Sequence, residues 1–175
     1  MMSAGVVLDT SFLITLADPV RDHHQAAKRY WKHFLEQGIP VFLPTIVVSE
    51  FCRKQEIPSE IRQSCVPLPF NWEEAIKAAE MDITLFDRQG ESRAALKDDV
   101  KIISQGIIND AQWLITDDSN SFYRYASTLQ QAGKSPCKPI KLEDGFDLSF
   151  FEPDGQRNLD FDSSAIETDQ SGDQP

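Results

Sequence analysis

The sequence predicts a three-layer α/β fold, a mostly parallel sheet between layers of helices, and three observations lead there. Short aliphatic runs, at residues 6–9 and 113–116 above all, read as strands buried on both faces, as parallel strands are. They alternate with stretches of helical period, the pattern left by strand–helix–strand units. Two of the strands end in acids, Asp9 and the pair Asp117-Asp118. That puts polar chemistry at the carboxyl edge of the sheet, where open α/β folds hold their ligands.

Residues 6–9 open the fold as a strand. A short helical stretch at 12–16 follows, Asp18-Pro19 breaks it, and 22–37 carries Ala26, Tyr30 and Phe34 at intervals of four, an amphipathic helix ended by Gly38. Residues 39–43 form a second strand stopped by Pro44. Thr45 is placed to cap the next helix, which holds Ile46, Val47, Val48, Glu50 and Phe51, with Glu50 early in it. Residues 65–70 are apolar but interrupted by Pro67 and Pro69, so they belong at a sheet edge or in a loop, and Asn71 caps a helix from Trp72. Asp98 or Asp99 opens a further helix whose Ile102, Ile103 and Ile107 share one face. A strand at 113–116, a helix at 121–131 and a strand at 139–142 complete the fold, with Trp72 and Trp113 assigned to the core.

A chain of 175 residues that is 41% hydrophobic builds one substantial core. The expected domain is residues 1–145. From Gly145 onward the chain turns to Asp, Ser, Gly and Gln, an acidic, disordered tail over 146–175, and truncation after Gly145 should leave a folded domain. Phe146, Phe150, Phe151 and Phe161 are the residues in it able to pack down. The net charge of −11 argues against a nucleic-acid partner until its distribution is examined. Residues 1–142 hold 16 Lys+Arg and 18 Asp+Glu, and 143–175 hold 1 and 10, so the body carries −2 and the tail −9. No apolar run reaches the roughly 18 residues of a membrane span, and the N-terminus lacks a secretory signature, which places the protein in the cytoplasm without a membrane partner. Cys52, Cys65 and Cys137 are odd in number and widely spaced, as reduced structural thiols are.

Four acids far apart in sequence, Asp9, Glu50, Asp99 and Asp118, are candidates to converge at the carboxyl edge of the sheet. Asp and Glu oxygens match a hard cation, Mg²⁺ or Mn²⁺. The segments LDTSF, VVSEF, KDDVKIIS and ITDD that carry them resemble, in order and placement, the acidic motifs of PIN-domain nucleases, including the VapC-like bacterial proteins, over residues 5 to 142. The resemblance implies a metal-dependent nuclease on a parallel-sheet α/β/α fold, cutting single-stranded or structured RNA. It also implies, as expectations, an antitoxin protein partner and a homodimer.

The family pattern selects Asp99 over Asp98, because Ile102 and Ser104 follow Asp99 at the family's spacing, and Asp118 over Asp117, because Thr116 precedes it by two. The aromatic that usually follows the last acid by three residues stands one place later, as Phe122. The resemblance gives Asp9, Asp99 and Asp118 the role of metal ligands and Glu50 that of completing a second ion's shell or orienting water. Ser11 and Thr116 are then the hydroxyls holding the carboxylates. Each of Asp98, Asp99 and Asp118 equally suits a helix cap or first-turn acid, whereas Asp9 has no structural duty evident in sequence. His23 and His24 read as surface residues, and Lys28, Arg29 and Lys32, with Tyr30 and Trp31 between them, as a solvated face. Arg53 and Lys54 are the better candidates to touch phosphate. Two other functions stay open: a PIN fold that binds without cutting, and a haloacid-dehalogenase-like phosphatase, which wants a second Asp where Ser11 stands.

Overall fold

Four consecutive residues without a polar side chain, Gly5–Leu8, form the central strand β1, and all four are buried. Successive side chains of a strand point to opposite faces, so continuous burial means that both faces are covered. The computed structural model describes residues 4–81 and 93–152. Around β1 stand β2 (Val41–Pro44), β3 (Cys65–Leu68), β4 (Ala111–Thr116) and β5 (Lys138–Lys141), all parallel, in the order β3-β2-β1-β4-β5. The chain leaves β1 toward β2 and β3 on one side and comes back through β4 to β5 on the other. The order reverses between β1 and β4, the place where such sheets open a crevice at their carboxyl edge. Leu8 lies opposite Ile115, so the next residues, Asp9 and Thr116, emerge side by side.

The helices are α1 (Thr10–Ala17), α2 (His24–Gln37), α3 (Thr45–Phe51), α4 (Ser59–Ser64), α5 (Trp72–Glu80), α6 (Arg93–Ile108) and α7 (Phe122–Gln131). On one face of the sheet α6 lies close: a Cβ built on Gly106 would sit 3.0 Å from Leu114 Cδ2 and 3.2 Å from Val7 Cγ2. Trp113, one residue from Leu114, points to the other face and meets Phe151, ring centroids 4.8 Å apart. Two covered faces make the three layers. On α2, Tyr30 and Phe34 are fully buried, and Gly38, at φ 62°, closes the helix in the left-handed region that glycine adopts without strain. Asn71 and Glu74 cap α5 reciprocally, the Glu74 carboxylate accepting the Asn71 N–H at 2.9 Å.

Several expectations are corrected. Trp72 is 76% exposed, because α5 turns Glu74 and Ala78 inward and carries Trp72 and Ile76 on its outer side, while Trp113 is in the core. Pro44 holds the N-cap position of α3, so Thr45 is the first helical residue and does not cap, and Glu50 falls in the last turn of this short helix. Within the described residues α6 begins at Arg93, five residues before Asp98. Arg-Ala-Ala-Leu-Lys is a run of strong helix formers, and nothing in it stops the helix. The six residues of α4 are too few to leave a readable period. The edge position of β3, with Pro67 in it, is as expected.

Composition marks a boundary at 145/146, but the packed chain runs past it. The Tyr30 hydroxyl donates to Gly145 O at 3.0 Å and accepts the Asp147 N–H at 3.1 Å, and the Trp113 indole N–H donates to Phe150 O at 3.1 Å. Phe146 meets Tyr30 at 4.8 Å, and Phe151 meets His33 at 4.8 Å and Phe34 at 5.7 Å. Phe161 lies outside the described residues. Burial pushes the Cys65 thiol up to about 12 and the Cys137 thiol up to about 11, which keeps both protonated and unreactive. Among the described residues no helix is long and apolar enough to cross a membrane.

His33 sits inside this aromatic cluster with its Nε2 buried and unpartnered among the described residues. Burial holds its pKa below the ordinary 6.5, against an opposing pull from Glu36. The folded state therefore favours neutral His33. Its contribution is fully present above the unfolded value and is lost as pH falls through the folded one. The melting temperature is expected to drop between pH 7.5 and pH 5, and His33→Gln to flatten that drop. An unchanged slope in the variant would remove His33 as its source.

Candidate active site

Asp9 is delivered to the carboxyl edge by β1 and held there by hydroxyls. Ser11 Oγ and Thr116 Oγ1 each donate to its Oδ2 at 2.7 Å, and the Ser11 N–H approaches the same oxygen at 3.4 Å. The two hydroxyls also touch each other, at 2.9 Å. Asp9 is thus the N-cap of α1, a structural duty the sequence did not disclose. It is 5% exposed, and no lysine or arginine among the described residues pairs with it. Burial raises its pKa above the usual carboxylate range, the bonds from Ser11, Thr116 and the Thr10 N–H oppose that, and the neighbouring Asp118 charge adds to the rise.

The end of β4 supplies the partners. Thr116 Oγ1 accepts the Asp118 N–H at 2.9 Å, and Ser11 Oγ accepts the Asp117 N–H at 2.8 Å. The Asp118 carboxylate caps the turn into α7, taking the N–H groups of Asn120 at 3.0 Å and Ser121 at 2.9 Å and the Ser121 hydroxyl. Asp117 points away from Asp9. Its carboxylate, 6% exposed, receives Thr15 Oγ1 at 2.5 Å and lies against His23 Nδ1 at 2.5 Å and Arg21 at 3.7 Å. His23 is therefore a partner of Asp117, not a free surface residue, while His24 Nδ1 bonds Thr15 O at 2.9 Å.

Glu50 reaches the same junction from the end of α3, where the Thr10 hydroxyl donates to its carboxylate. On α6, Asp99 is in step with Ile102, Ile103 and Gly106, the stripe that faces the sheet. Seven residues of helix carry Asp99 about 10 Å from Gly106. Asp99 is half-buried on that stripe. Asp98, off that stripe, is paired with Lys101 at 2.9 Å. Sequence reasoning missed Thr10, Thr15 and Arg21. A signal was present for Thr15, which stands four residues after Ser11 and so shares its helix face, making one hydroxyl stripe along α1 that meets the end of β4.

Among the described residues no three of His, Cys, Asp and Glu are grouped closely enough to form a ready-made cation site. A Mg²⁺ ion does not need one, since it is commonly held by one or two carboxylates together with waters and substrate phosphate. Buried Asp9 with Asp118 beside it, oxygen ligands only, fits that requirement.

No protein-family model matches the chain, and no curated protein matches its sequence. Among solved structures it is similar to a chain in the crystal structure of VapBC2 from Rickettsia felis bound to a DNA fragment from their promoter. The TM-score is 0.50 and the identity 13%, over 77% of this chain and 97% of that one. At that identity the likeness shows the fold alone, a three-layer α/β fold around five parallel strands.

Proposed function

We propose that the chain is a metal-dependent ribonuclease acting at the β1/β4 edge. One observation carries the reading: a buried carboxylate, Asp9, is held by hydroxyls and backbone N–H groups, with another acid and, among the described residues, no cationic side chain beside it. A carboxylate placed so is costly unless a cation neutralises it. Asp9, Asp99 and Asp118 would hold Mg²⁺ or Mn²⁺ directly or through water, and Glu50 would orient a water or complete a second ion's shell. When bound, the metal supplies Lewis acidity toward a phosphate oxygen and lowers the pKa of water. Ser11 and Thr116 fix which face Asp9 presents, since both occupy Oδ2. We also propose, from the motif resemblance, a toxin role with an antitoxin partner, a place in the cytoplasm and a second copy of the chain as a further partner; the likeness to a VapBC2 chain agrees with this in fold alone.

The test is cleavage of mixed single-stranded RNA with Mg²⁺ or Mn²⁺ and with EDTA. Metal-supported cleavage is expected, and Asp9→Asn, Asp99→Asn and Asp118→Asn are each expected to reduce it by at least about 100-fold with an unchanged circular dichroism spectrum. A PIN fold that binds without cutting is the second reading, favoured by the full engagement of the Asp118 carboxylate in its turn. RNA binding without metal-dependent cleavage would establish it.

A further inference from the structure

A groove of about 710 Å³ opens beside the acidic edge, between α1 and the end of α3. Its polar lining is Thr10, Asp18, Arg21, Glu50, Arg53, Lys54 and Gln55. Thr10 follows Asp9 directly and its hydroxyl bonds Glu50, so the groove begins at the candidate site itself. Arg53 and Lys54 follow the Cys52 C-cap of α3 and are exposed, and among the described residues neither forms an ion pair. The opposite flank differs in charge. Lys141, at the end of β5, is committed to Glu143 at 3.4 Å and Asp144 at 3.2 Å, two acids whose side chains are 54% and 57% exposed. The Ser119 hydroxyl, just past Asp118, also donates to Glu143 at 2.7 Å. The groove side thus presents two exposed cations without an ion pair among the described residues, beside Asp18 and Glu50, and the other side presents a lysine already committed to exposed acids.

We infer that the groove lined by Arg53 and Lys54 receives the phosphodiester backbone of the nucleic-acid strand, which therefore leaves the site over α3 and not over β5. The inference rests on the nuclease reading for the identity of the ligand, and it specifies the strand's path on this chain. An acidic peptide is the poorer occupant, because its carboxylates would run onto Glu50, where a phosphate can instead share a divalent cation. Arg21 is already bound to Asp117 and lends charge without being free to follow the strand. Arg53 and Lys54 act as point contacts to phosphate, which fix position and carry no base preference.

The measurement is fluorescence anisotropy of labelled single-stranded RNA and DNA decamers in EDTA, across a salt series, so that binding is read without cleavage. The Arg53→Ala/Lys54→Ala double variant is expected to bind both decamers more weakly. Its plot of log affinity against log salt should be flatter by about 1.4, two contacts at about 0.7 each for single strands. Lys28→Ala/Lys32→Ala, on the exposed face of α2, should leave affinity and slope as in the parent. The inference is overturned by a parent that binds no decamer, by a double variant with the parent's slope, by a loss confined to RNA, or by an acidic decapeptide that competes as well as RNA does. RNA binding with the expected slope but no cleavage when metal is added would sink the nuclease reading and leave this path standing.

Discussion

Truncation after Gly145 is expected to lower the melting temperature by roughly 10–15 °C, although composition alone marks that position as the end of the domain. The segment removed contains Phe146, Phe150 and Phe151, which pack against the core beside Tyr30, His33, Phe34 and Trp113. A fully buried aromatic side chain contributes about 1.5–3 kcal/mol, and three partly covered rings therefore about 3–5 kcal/mol together. At about 2–4 °C per kcal/mol for a domain of this size, the shift follows. The cut also strands polar groups: the Trp113 indole N–H loses Phe150 O, and the buried Tyr30 hydroxyl loses the Asp147 N–H. Phe151→Ala in the full chain separates ring packing from the loss of negative charge, and should reproduce part of the fall. A truncated protein that melts with the parent would show that these rings are not part of the cooperative unit.

That segment illustrates what was legible in the sequence and what was not. Buried parallel strands announce themselves because every residue is apolar, so β1 and β4 could be placed from Val6-Val7-Leu8 and Trp113-Leu114-Ile115 alone. Their acids came with them, since the residue after a buried strand at a sheet edge has nowhere to go but the crevice. Helix starts were less legible. Asp98 and Asp99 look like first-turn acids, yet Arg93 begins the described part of α6, because first-turn chemistry is only a preference and a run of helix formers overrides it. Docking of residues 146–151 was legible only in part: their phenylalanines could be named as able to pack down, but rings among acids give a polar average, while packing depends on the rings individually. The partnership of Asp117 with His23 and Arg21 joins segments more than 90 residues apart, and no local period reports it.

Asp9→Asn and Asp118→Asn are expected to melt above the parent in EDTA and to lose that advantage in saturating Mg²⁺. Burial raises the Asp9 pKa in the folded state, so the bound proton stabilises the fold below the unfolded value of 3.8, and that benefit is lost as pH rises through the folded value. Near pH 7.5 the ionised carboxylate is therefore a net strain, made worse by Asp118, and the amide relieves it. The relief is cleanly isolated because the other duty of Asp9 survives: asparagine caps α1 about as well as aspartate does and still accepts from Ser11 and Thr116. A cation reverses the order, since a ligand bound only by the native state adds about 2.7 kcal/mol at a hundred times its dissociation constant, and a variant without the carboxylate forgoes it. Melting curves of parent and variants, each in EDTA and in Mg²⁺, read both effects from one protein preparation without any assay of cleavage. A ranking that is the same in both conditions would mean that Asp9 and Asp118 serve the fold as caps alone.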